Sequence, residues 1–294
     1  MIPQNLTEEL RYIEIYTSKA ARDHRVGDYR SPLKGQGFAF DQHKPYVQGD
    51  DYRRIDWNVT ARLRQPYVKK AFEDKEINAL IMADLSRSMA VGSEAQSKKE
   101  LLLQVAATAA FSAFRDNMAV GLLGYTDKIE IDIPARKGRT HLWHVLQTLW
   151  DYKPRGIRTD FSVALTELHR RLKHSTVIFC LSDFITEQNI FENRALKYLA
   201  QRHDFIPLIL EDAWEGALPA GSGFIRLHDA ESAGEMLLDL SPKKTALYEG
   251  MMHDRKVALK RGFYRLHLDH LFLRPGEPFL DALMGLFLAR RRRK

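Results

Sequence analysis

The sequence predicts an α/β protein: a doubly wound, mostly parallel sheet with one antiparallel edge strand, preceded by an N-terminal accessory segment. Three observations predict it. Short apolar runs at Ala79 to Ala83, Met118 to Tyr125, Thr176 to Leu181 and Phe205 to Leu210 read as strands buried on both faces. Helical patterns separate these runs, and the alternation repeats along the chain. One segment, Ile129-Glu-Ile-Asp-Ile133, alternates strictly and marks a half-exposed antiparallel strand.

Each element follows in order. Thr7 to Arg22 reads as a helix with Leu10, Ile13, Tyr16 and Ala20 on one face. A turn-rich stretch, Gly27 to Gly37, leads into a polar and aromatic block, Phe40 to Lys70, with neither helical nor strand period. Arg53, Arg54, Asp56, Trp57 and Arg62 fall close together there, which predicts a fixed ion-pair and stacking cluster, a packing clamp or a partner-binding surface. Pro66 to Phe72 reads as extended. Ser97-Lys-Lys-Glu100 is a capping-box signature opening a long helix to about Arg115.

Thr140 to Trp150 is helical by the spacing of Leu142, Leu146 and Leu149. Lys153 to Asp160 is a loop, followed by a helix to about Leu172, and a further helix closes at Leu199. Gly223 to Arg226 and Glu235 to Leu240 read as a hairpin, and Pro242 starts a helix to about Lys260. Gly262 to His267 reads as extended, and Pro278 opens the final helix. The predicted division is 1–75 (N-terminal helix and signature segment packing on the core), 76–240 (the sheet domain) and 241–294 (a helical extension with a basic tail).

Composition narrows the function. The chain has 294 residues, 45% hydrophobic and 28% charged, an ordinary globular balance. A single cysteine, Cys180, excludes an internal disulfide and suits a reducing compartment; it reads as a small core residue. The opening residues lack the pattern of a signal peptide, and Ala282 to Ala289 is far short of a membrane span, so a cytoplasmic location is expected. Of the formal net charge of +7, five come from Arg290 to Lys294, so the body is nearly balanced. That tail reads first as a solvated helix end, with peripheral contact to anionic membrane or nucleic acid as the alternative.

The chemistry concentrates where strands end. In an open α/β sheet, ligands bind at the carboxyl ends of the strands. The first buried run ends in Asp84, with Ser86 and Ser88 following at two-residue intervals. Asp183 ends another such strand, and Thr159 lies on a loop running across the same edge. Asp84, Ser86, Ser88, Thr159 and Asp183 thus offer two carboxylates and three hydroxyls, an all-oxygen set suited to a hard cation, Mg2+ or Mn2+. With only two carboxylates such a site binds weakly and leaves a position open for a partner's carboxylate. The plainer reading of the first loop, a turn closed by small polar residues, does not account for the other two loops.

Asp84-Leu-Ser86-Arg-Ser88 with Thr159 and Asp183 resembles the metal-ion-dependent adhesion site of von Willebrand factor A-type domains, over about Glu76 to Leu240. The resemblance implies that Ser86, Ser88 and Thr159 ligate the ion directly or nearly so, and that Asp84 and Asp183 act largely through water. Gly35-Gln-Gly37, Phe40-Asp41 and Gly49 to Arg62 resemble the signature of the domain of unknown function 58 family, which joins such a segment to an A-type domain. Members are commonly encoded beside MoxR-type AAA+ ATPases, so the resemblance implies a non-enzymatic adaptor with such a partner. Gly156-Ile-Arg-Thr159 departs from the double glycine usual before the threonine.

Other chemistries lack their parts. No phosphate-binding glycine loop of the P-loop or dinucleotide type occurs, and no Gly-x-Ser-x-Gly elbow. A metal-dependent phosphoesterase using the same carboxylates is the enzymatic alternative, without an obvious general base. The pairs His141/His144 and His267/His270 have no further ligand at zinc spacing and read as packing residues.

Overall fold

The computed structural model describes residues 2–23, 40–48, 52, 55–71, 77–90, 97–156, 158–186, 188–212, 223–228 and 235–292. In chain order the elements are α1 (Gln4–Asp23), β1 (Phe40–Pro45), α2 (Trp57–Leu63), β2 (Tyr67–Ala71), β3 (Asn78–Asp84), α3 (Lys98–Arg115), β4 (Ala119–Tyr125), β5 (Ile129–Arg136), α4 (Arg139–Asp151) and α5 (Phe161–Arg171). They continue with β6 (Thr176–Ser182), α6 (Arg194–Arg202), β7 (Asp204–Leu210), β8 (Phe224–His228), β9 (Glu235–Asp239), α7 (Pro242–Arg265), β10 (Leu271–Leu273) and α8 (Phe279–Arg292). They form two compact units: β1, α2 and β2 make one, and α1 with everything from β3 onward makes the other.

In the smaller unit, β1 and β2 pair antiparallel, with a register shift between Phe40 and Gln42. That bulge and the brevity of the elements explain why the block shows no period in sequence. Asp56 starts α2: its Oδ1 accepts from the N–H groups of Asn58 and Val59 at 3.0 and 3.3 Å, the usual way to satisfy first-turn donors. Trp57, expected to stack in a cluster, is 70% exposed on that helix. Arg53 and Arg54 lie outside the described residues, so this part of the expected cluster does too.

The larger unit is built on a six-stranded sheet of order β10-β7-β6-β3-β4-β5. All neighbours are parallel except β4 and β5, which pair antiparallel at the edge. β4 and β6 are buried at every position, whereas β5 alternates, as the apolar runs and the alternating segment predict. On one face, Leu80, Met82, Leu123, Ile178 and Phe205 pack with Phe161 and Leu165 of α5, Leu199 of α6 and Phe263 of α7. On the other lies α3, flanked by α1 and α4. Leu6, Leu10, Ile13 and Thr17 form the buried stripe of α1, and Arg115 Nη1 donates to the Thr17 carbonyl at 2.8 Å.

The C-terminal part departs from the sequence reading at the end of α7, at β10 and at Arg290. α7 runs through Gly262 to Arg265, so Gly262–His267 is the end of a helix, not an extended piece. Gly262 persists in the helix because Phe191 lies against it: a Cβ there would meet the ring at 2.2 Å. His267, at φ 55°, then turns the chain. After it β10, unread in the sequence because it is three residues long, pairs parallel with β7. Arg290, counted with the basic tail in the sequence, is buried and bridges Asp204 and Asp269. β8 and β9 form the predicted antiparallel hairpin.

A candidate cation site at the sheet's switch point

Strand order reverses between β3 and β6. From β3 the chain moves to β4 and β5 on one side, then returns to place β6 on the other. A crevice at the carboxyl ends of such a pair is where α/β sheets take their ligands. β3 and β6 run in register, Ala83 opposite Leu181, so Asp84 and Ser182 end side by side. Asp84 also stands opposite Tyr125 of β4.

Asp84 is fully buried. Its Oδ1 accepts the Ser86 N–H at 2.9 Å, which folds the loop back over the strand end, and its Oδ2 accepts the Ser182 hydroxyl at 2.7 Å. Burial first, and then the charge of Asp183, push the Asp84 carboxyl up to about 7, against the hydrogen bonds from Ser86 and Ser182. The Ser86 and Ser88 hydroxyls lie 3.0 Å apart, converging as their two-residue spacing predicts. Asp183 is buried as well; its Oδ1 accepts the Ile185 N–H at 3.0 Å and its Oδ2 receives the Lys98 ammonium at 3.1 Å. Burial, with Asp84 next, also drives the Tyr125 hydroxyl and the Cys180 thiol far above their ordinary ranges. Cys180 is a buried core residue with no thiolate to offer.

Thr159 comes to the neighbouring strand end. It is half-buried on the loop between α4 and α5, and the N–H of the next residue, Asp160, donates to the Thr126 carbonyl at 3.1 Å, just past β4. Glu130 of β5 holds this loop. Its Oε1 accepts the N–H groups of Gly156 and Arg155 at 2.6 and 3.1 Å, and its Oε2 accepts the Tyr152 hydroxyl at 2.9 Å. Burial works against the Glu130 charge, but these bonds and one from Thr126 outweigh it and keep its carboxyl below the usual range. Gly156 is required there, since a Cβ would stand 2.0 Å from Thr126 Oγ1. Asp160 caps α5 and also accepts from Gln188, which ties the β6–α6 loop to the same helix.

Four residues of the site escape a reading of the motif alone: Ser182, Lys98, Glu130 and Arg255. Ser182 bridges Asp84 and the Phe184 N–H, at 2.7 and 2.9 Å. Arg255 of α7 donates to the Asp183 carbonyl at 2.7 Å, which brings the C-terminal helix to the edge of the site. Lys98 is the first residue of α3 and is itself buried, a placement that nothing local in the sequence marks.

The donor set fits a hard divalent cation on its chemistry. Two buried carboxylates, with the charge of Asp183 close enough to raise the charging cost of Asp84, and a hydroxyl pair beside them form a set of oxygens that a cation suits. Among the described residues, no three His, Cys, Asp or Glu side chains gather as a metal-binding group. His141 instead hydrogen-bonds the Val120 carbonyl through Nε2 at 2.9 Å, a packing contact. No helix among the described residues is long and apolar enough to cross a membrane.

Known proteins are similar to this chain over most of its length. Uncharacterized protein Rv1480 of Mycobacterium tuberculosis strain H37Rv is 30% identical over 229 residues, covering 77% of this chain and 71% of the relative. Uncharacterized protein Mb1516 of Mycobacterium bovis matches to the same extent, at 30% identity. Among solved structures, the conserved hypothetical protein BatB from Bacteroides thetaiotaomicron is similar at 12% identity with a TM-score of 0.45, covering 74% of this chain and 100% of that one. An aerotolerance-related membrane protein from Bacteroides fragilis, with multiple mutations to serine, matches at 14% identity and a TM-score of 0.44, covering 72% and 97%. The model of the family described as protein of unknown function DUF58 matches residues 42–256, and with the relatives at this identity the chain belongs to that family.

Proposed function

We propose that this chain is a non-enzymatic, metal-dependent protein-interaction module, an adaptor that captures an acidic side chain of a MoxR-type AAA+ ATPase. The sheet of the larger unit is read as von Willebrand factor A-like, and the site as a metal-ion-dependent adhesion site. Asp84, Ser86, Ser88, Thr159 and Asp183 would hold Mg2+ or Mn2+, and the bound ion would supply an open coordination position for an incoming carboxylate. One observation carries the reading: a buried Asp84 whose carboxyl is lifted to about 7, with paired serine hydroxyls beside it at the switch point of the sheet. The protein's own part is positional. Ser182 and the Ser86 N–H hold the Asp84 oxygens, and Glu130 holds the loop that carries Thr159. The partner class rests on the family resemblance.

The test is binding of the full chain to a MoxR-type AAA+ ATPase, by calorimetry in Mg2+ and in a chelator. Mg2+-dependent binding that Asp84→Ala abolishes is expected. Equal binding with and without the ion rejects the reading.

A further inference from the structure

We infer that Lys98 is a resident cation of this site, competing with the divalent ion for Asp183 and setting its affinity. The inference rests on the metal reading above and deepens it. The Lys98 ammonium stands 3.1 Å from Asp183 Oδ2, and the two side chains are 2% and 0% exposed. A lysine is rarely buried so fully unless it is paired. Its place is imposed by the backbone. Ser97 Oγ accepts the Glu100 N–H at 3.2 Å and Glu100 Oε2 accepts the Ser97 N–H at 2.9 Å, so a full capping box pins the start of α3 and delivers Lys98 to the strand ends.

The charges decide what the amine does there. Among the described residues, Asp84 and Asp183 are the carboxylates of the cluster, and Lys98 neutralises Asp183. A divalent ion entering with the lysine in place leaves a buried net positive charge, which is costly in a low-dielectric site. Arg255, donating to the Asp183 carbonyl from α7, adds to the same side of the balance. The ion therefore either displaces the ammonium from Asp183 or arrives with an anionic ligand that compensates it. Metal and partner carboxylate bind together, and each alone binds weakly.

The experiment measures Mn2+ binding to the full chain by electron paramagnetic resonance. It compares the wild type with Lys98→Met, with Lys98→Gln (uncharged, still able to donate to Asp183, and better suited to keep the fold) and with Asp84→Asn. Circular dichroism checks each fold. At least tenfold tighter Mn2+ binding is expected once the lysine charge is gone, with a larger Mn2+-induced rise in melting temperature than in the wild type. Unchanged or weaker binding in a folded Lys98 variant overturns the inference. Its fate separates from that of the metal reading. Saturable wild-type binding lost in Asp84→Asn upholds the metal reading even if Lys98 has no effect. Binding by the Lys98 variants alone upholds the inference but ends that reading for the wild type. Binding by none overturns both.

Discussion

Replacing Gly156 with alanine tests whether the loop bearing Thr159 is held as tightly as its contacts imply. The added Cβ would fall 2.0 Å from Thr126 Oγ1, 2.2 Å from Asp127 Oδ1 and 2.7 Å from Thr126 Cβ, where ordinary contact begins at 3.4 Å. Thr126 is fully buried, so the loop must retreat by roughly 1 Å or more. Retreat lengthens the Gly156 and Arg155 N–H bonds to Glu130 Oε1, now 2.6 and 3.1 Å. Overpacking costs about 1–3 kcal/mol and a hydrogen bond to a charged group about 1.5–3 kcal/mol; because one movement relieves the first by sacrificing the second, a total of about 2–4 kcal/mol is expected. Chemical denaturation of wild type and Gly156→Ala measures it. In combination with Glu130→Gln, the two costs should fall short of their sum, since both release one loop. A loss under about 0.5 kcal/mol for Gly156→Ala refutes the reasoning.

Two further outcomes follow from buried charges. With its carboxyl raised to about 7, Asp84 keeps its proton in the folded state at pH values where the unfolded chain has lost it. Its contribution to stability is complete below the unfolded value, near 3.9, and is lost as pH rises through about 7. Asp84→Asn should therefore flatten the decline in metal-free stability between pH 5 and 8, and parallel wild-type and variant curves would contradict this. At the opposite end of the strands, Arg290 donates to Asp269 at 2.6 Å and to Asp204, whose side chain is only 9% exposed. Arg290→Met strands that carboxylate and should cost about 3–5 kcal/mol, with limited proteolysis attacking α8 first; wild-type stability and digestion would refute the pairing's weight.

What could be read in the sequence divides along a physical line. β3, β4, β6 and β7 announce themselves because a strand covered on both faces must be apolar throughout, and β5 because an edge strand is apolar on one face only. Asp84, Ser86 and Ser88 are legible together because they are neighbours in the chain. Asp183 is legible because it too ends an apolar run. Ser182 and Lys98 are not, since their partners lie 98 and 85 residues away and nothing local marks them. Glu130 looks like an ordinary solvent-facing residue of β5, yet it is the anchor of a loop some 25 residues later. The end of α7 misleads because Gly262 reads as a helix breaker, while its missing side chain is what admits Phe191.

The outermost parallel strand of the main sheet comes from the last quarter of the chain. Leu271 to Leu273 lie along Leu208 to Leu210, and the Glu211 amide closes onto the Leu273 carbonyl at 2.8 Å. A fragment cut after residue 240, where the motif itself is complete, would bare that flank of β7 as a row of unsatisfied amides and carbonyls. Such a rim invites other chains to zip onto it. Expressing the recognisable portion by itself would then yield clumped material, and its silence in a binding assay would say nothing about the ion site.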